Sequence, residues 1–136
     1  MLSVAHFAAL VAANLLLISC AQGLQHYRIA GAAGREIPKV KAVMAAVAAQ
    51  ARLAMETDDM RDPTAFVAYQ KPLSVYMRGD VVDHDVLITL HQGDFRITPD
   101  FRQTDALLRR ALVETFPRRV TARPDADVDS PNIIQL

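Results

Sequence analysis

The spacing of apolar and polar positions changes several times along the chain, and each change marks an element. Met1 to Ser19 contains no Lys, Arg, Asp or Glu and is rich in Ala and Leu. Ala21 to Ile37 holds three Gly, several Ala and no apolar period, which reads as a flexible tether. A chain of about 16 such residues spans roughly 20–25 Å. From Pro38 onward the period is helical: Val40, Val43, Met44, Val47, Ala51, Ala54 and Met55 recur at three- and four-residue steps. This spacing predicts an amphipathic helix over 38–56, with Pro38 in the first turn, where its missing N–H costs nothing. Thr57-Asp58-Asp59 ends it or begins a turn.

After Asp62-Pro63 the pattern supports two readings, a short helix through Tyr69 or an edge strand carrying Phe66, Val67 and Tyr69. Leu73, Val75 and Met77 then alternate with Ser74, Tyr76 and Arg78, which predicts a half-buried strand. Gly79-Asp80 reads as a turn. Val86, Ile88 and Leu90 alternate with Leu87, Thr89 and His91 in a second strand. Gln92-Gly93-Asp94 is a hairpin signal, and Phe95 and Ile97 supply a third, shorter strand. Thr98-Pro99-Asp100 has the order of a cap, a first-turn Pro and an early acid. Phe101, Leu108, Ala111, Leu112, Thr115 and Phe116 share one face of the helix that follows, and Pro117 stops it. Val120 to Ala122 has the character of a further edge strand. Residues 124–136 read as a loose acidic tail with an apolar end.

Strands joined by short turns favour antiparallel pairing. The order helix, meander, helix therefore predicts an α+β fold, a two-layer sandwich of two helices on about three antiparallel strands. About 117 residues after Ser19 make one domain, long enough to bury a core unaided. The formal net charge is zero, which argues against a general nucleic-acid binder. The absence of Trp and the shortage of other aromatics disfavour a stacking platform for sugars or bases.

Cys20 is the only cysteine, so no intrachain disulfide can form. It stands directly after the uncharged run, which is short for a spanning helix and suits a secretory leader. Leu17-Ile18-Ser19-Cys20 resembles the lipobox of bacterial lipoprotein precursors: aliphatic at −3, small at −1, then Cys. The resemblance covers about the first 20 residues, and it departs in the n-region, which usually carries Lys or Arg and here offers only His6. It implies lipidation of the Cys20 sulfur, cleavage after Ser19, and a domain held in the cell envelope by its acyl chains. Ala21 rather than Asp after the cysteine implies the outer membrane, facing the periplasm. The partners so implied are the lipid bilayer and an envelope protein or anionic envelope ligand. An uncleaved membrane anchor over residues 2–18 is the alternative address.

Two clusters in the mature chain invite a chemical reading. Asp80, Asp83, His84, Asp85 and His91 combine carboxylates and imidazoles, the ligand types of hard and transition metals. Their spacing matches no zinc or calcium loop, and a solvated loop ahead of a strand has the same composition. Asp83, His84, Asp85 and His91 nonetheless form the candidate metal or enzymatic group. Arg109, Arg110, Arg118, Arg119 and Arg123 form the densest basic cluster, suited to an anionic partner or, equally, to complementing a helix C-terminus. Arg78-Gly79-Asp80 spells an adhesion tripeptide that a simple turn also explains. No catalytic constellation and no glycine-rich phosphate loop is present, and no pattern calls for a cofactor.

Overall fold

Leu24–Ile29, part of the stretch expected to form a tether, instead forms an inner strand of the sheet. The computed structural model of the protein describes residues 23–56, 63–92, 98–123 and 134–136. The described residues form two helices, α1 (Ile37–Ala51) and α2 (Pro99–Thr115). Their strands are β1 (Leu24–Ile29), β2 (Ala54–Met55), β3 (Ala65–Lys71), β4 (Val75–Val82), β5 (Asp85–His91), β6 (Val120–Arg123) and β7 (Ile134–Gln135). All seven join one sheet in the order β2-β3-β4-β5-β1-β6-β7, antiparallel at every pairing. The two-layer α+β sandwich is as expected, with a larger sheet than three strands.

β1 forms because its side chains alternate. Gln25, Tyr27 and Ile29 are buried, whereas His26 is half-buried and Arg28 exposed. Period-two alternation suits a strand with one face on a core. The glycines and alanines that suggested a tether belong mostly to the connection that follows, where Gly31 and Gly34 take positive φ. The flexible stretch expected over 20–37 is thus corrected to a central strand and a short turn from residue 24 onward.

α1 begins as expected, with Pro38 in its first turn, but it ends at Ala51 rather than residue 56. Arg52 adopts a left-handed conformation, φ 59°, and its N–H and that of Leu53 return to the carbonyls of Ala49 and Ala48. Ala54 and Met55 then pair with β3. Between the two readings of the Phe66 region, the strand is the one observed.

β4 also differs from expectation. It starts at Val75, runs through Gly79-Asp80 without turning, and turns at Asp83-His84. Gly79 is required by proximity instead. A Cβ there would stand 2.6 Å from Phe66 Cζ and 3.1 Å from Met44 Sδ. A register shift between Ala65 and Val67 lets Phe66 fold over the glycine on the helix side. The expected third strand at Phe95 and Ile97 lies outside the described residues.

α2 agrees with the sequence reading. Thr98 Oγ1 accepts from the Phe101 N–H at 3.3 Å, and Asp100 lies in the first turn. Phe101, Leu108, Leu112 and Phe116 are buried with Val40, Met44 and Val47 of α1 against Tyr27, Ile29, Met77, Val86, Ile88 and Leu90 of the sheet. Both helices therefore cover the same face. β6 is not an edge strand, because Ile134–Gln135 pairs outside it and Leu136 packs on the core. The last three residues of the tail are docked.

Candidate functional site

Strand alternation assigns Gln25, Tyr27, Ile29, Met77, Gly79, Ile88 and Leu90 to the helix side. The opposite face collects His26, Arg28, Tyr76, Arg78, Asp80, Thr89, His91 and Arg123, and it is charge-rich. Most of these charges are already paired. Arg28 Nε donates to Asp85 Oδ2 at 2.6 Å. Arg78 holds Asp80 through Nε and Nη2 at 2.7–3.0 Å, and Thr64 Oγ1 donates to the same carboxylate at 2.9 Å.

This pairing separates the proposed metal group. Asp80 is 8% exposed and bound to arginine within β4. Asp83 and His84 form the exposed β4–β5 turn. Asp85 also accepts the Gly31 backbone N–H at 2.8 Å. That bond first, and the Arg28 guanidinium second, hold its carboxyl below the usual range. His91 closes β5, six residues and so about 20 Å from Asp85. Among the described residues no three His, Cys, Asp or Glu side chains gather as a metal site. The Arg78-Gly79-Asp80 tripeptide is internal to β4, with Gly79 and Asp80 buried, so it is not an exposed loop.

The arginine cluster is likewise divided. Arg109 Nε donates to the Tyr27 hydroxyl at 3.3 Å, and its guanidinium lies 5.9 Å from the ring centroid. The Tyr27 hydroxyl donates in turn to Asp105 Oδ1. Burial first, and this bond second, push the Tyr27 phenol well up, so it stays protonated and serves the fold. Arg119 grips Glu36 through Nη1 and Nη2 at 2.9 and 2.6 Å and donates to the Ala30 carbonyl. It ties the start of β6 to the start of α1. Arg110 and Arg118 are exposed.

Arg123 is different. Its Nε and Nη2 are buried and have no hydrogen-bond partner among the described residues. These two N–H groups form one edge of the guanidinium, the fork that matches a carboxylate or phosphate with two parallel bonds. Arg123 stands opposite His26 in the β1–β6 register, and His26 stands opposite Thr89 in the β1–β5 register. His26 Nδ1 is hydrogen-bonded to Thr89 Oγ1 at 3.1 Å. Burial first, and the Arg123 charge second, lower the His26 pKa. The buried guanidinium beside the His26 ring makes this rung electropositive. The sequence reading included Arg123 but missed His26 and Thr89. The alternation across Gln25-His26-Tyr27-Arg28 was the available signal.

A second feature lies at the far edge. A groove of about 430 Å³ separates Pro38, Lys41 and Ala45 of α1 from Met55, Glu56 and Phe66. Its lining is mainly apolar.

No protein-family model, curated protein or solved structure matches the chain. The class is therefore defined by its own geometry: an antiparallel α+β sandwich with a polar, arginine-bearing sheet face.

Proposed function

We propose that the chain is a lipoprotein of a bacterial cell envelope, anchored by acyl chains on Cys20, whose domain binds an anionic envelope ligand or serves as an accessory subunit. The observation that carries the reading is the uncharged run from Met1 to Ser19 ending at Leu17-Ile18-Ser19-Cys20, only four residues ahead of β1. A thiolate is the side-chain nucleophile best suited to take up a diacylglyceryl group. Two or more acyl chains then give stable anchoring, since each buried methylene contributes about 0.8 kcal/mol. By the same resemblance, Ala21 sends the protein to the outer membrane, facing the periplasm. Among the described residues no helix is long and apolar enough to cross a membrane.

The unmet donors of Arg123 beside His26 favour a binding role over a purely structural one. They call for one carboxylate or phosphate group, abundant chemistry in an envelope. The test is metabolic labelling with a fatty acid in the native host. The protein incorporates label, and Cys20→Ser does not. Equal labelling of both, or of neither, contradicts the anchor.

A further inference from the structure

We propose that the Pro72-Leu73-Ser74 turn between β3 and β4 rests on the bilayer beside the Cys20 lipid; this rests on the acylation reading above. Leu73 is 90% exposed, and Leu73 and Met55 are the exposed large apolar side chains among the described residues. Met55 lines the edge groove, whereas Leu73 stands in the turn between β3 and β4. Its backbone is left-handed, φ 63°, a region that glycine and asparagine adopt more readily than leucine. An apolar side chain here disfavours the isolated domain twice, through its backbone and through its contact with water. A bilayer removes the second penalty.

The register says which way the tip points. β1 and β4 are both antiparallel to β5, so they run in the same direction. Leu24, His91 and Tyr76 share a rung. Val75 is thus level with Gly23, and the 72–74 turn lies beyond, on the side from which the chain enters β1. Cys20 precedes Gly23 by three residues, at most about 11 Å of chain. Gly23, three residues after Cys20, and the Leu73 tip therefore lie at the same end of the described sheet. The turn is braced: Lys71 Nζ and Ser74 Oγ both donate to Asp100 Oδ2, at 3.1 and 3.0 Å. The other end of the sheet presents the polar Asp83-His84 turn.

The chain has no Trp, so a substitution supplies a single emitter. Leu73→Trp and His84→Trp full-length proteins, purified from host membranes, are reconstituted into phosphatidylethanolamine–phosphatidylglycerol vesicles containing bromine-labelled phosphatidylcholine. Vesicle flotation and an acyl-mass measurement accompany each sample. The proposal expects acylated, floating protein in which the Leu73→Trp emission is blue-shifted and quenched several-fold more than the His84→Trp emission. Acylated, floating protein with both emitters equally quenched or equally unquenched overturns the tip contact and leaves the anchor standing. Unacylated protein that does not float removes the anchor, and the tip proposal falls with it.

Discussion

Gly79 is a glycine because Phe66 and Met44 close over it, not because the chain turns there. Gly79→Ala is expected to cost about 1–3 kcal/mol, the usual penalty of overpacking a filled core. The urea midpoint measures it; an unchanged midpoint would show that Phe66 moves aside freely. His26 makes a second residue-scale prediction. Burial and Arg123 lower its folded pKa, whereas the unfolded chain keeps a value near 6.5. Below about pH 6.5 the unfolded chain therefore takes up a proton that the fold resists, and stability falls as pH drops toward the folded pKa. The lowered carboxyls of Glu36, Asp85 and Asp100 lose their contribution only at lower pH, below the ordinary carboxyl range near about 4. Urea unfolding from about pH 8 to pH 5 should show the decline, and His26→Gln should flatten it. An oxyanion on Arg123 offsets the repulsion, so inorganic phosphate should raise the His26 pKa, followed by NMR of its ring protons. Arg123→Gln raises that pKa by itself and removes the phosphate effect. The residues of this rung were only partly legible. Arg123 stands out in the sequence as one of a basic cluster, but its neighbours are chosen by strand register, which brings residues 26, 89 and 123 together across long separations.

Elements with strong local signals were read correctly. Thr98-Pro99-Asp100 marks the start of α2 in the sequence and caps it in the structure. Val86, Ile88 and Leu90 alternate and are buried. Where local and tertiary signals compete, the tertiary one prevails. Ala54 and Met55 continue a helical period, yet they leave the helix to pair with β3, and Arg52 accepts a left-handed backbone to permit it. β1 was missed because its six residues are flanked by Gly and Ala, which dilute the alternation. Its burial makes the correction testable. Ile29 is fully buried between β5 and β6, so Ile29→Ala should cost about 2–5 kcal/mol. A change within about 0.5 kcal/mol, the range of ordinary surface substitutions, would fit a tether and not a central strand.

At the scale of the molecule, placing β1 centrally changes how the domain meets the membrane. A tether of 16 residues lets a domain stand off by roughly 20–25 Å, but the cysteine proposed to bear the lipid precedes the central strand by four residues. On that reading the domain is held end-on, close to the lipid surface, with the strand axes leading away from it. The helices shield one sheet face, and the opposite face carries the Arg123 rung. That geometry suits a partner approached laterally along the bilayer. All of it depends on what is attached at position 20. The most direct measurement is the mass of the amino-terminal peptide of the protein isolated from its own host. The account predicts a peptide beginning at Cys20 that carries a thioether-linked diacylglyceryl group; a peptide that retains Met1 and an unmodified thiol contradicts it.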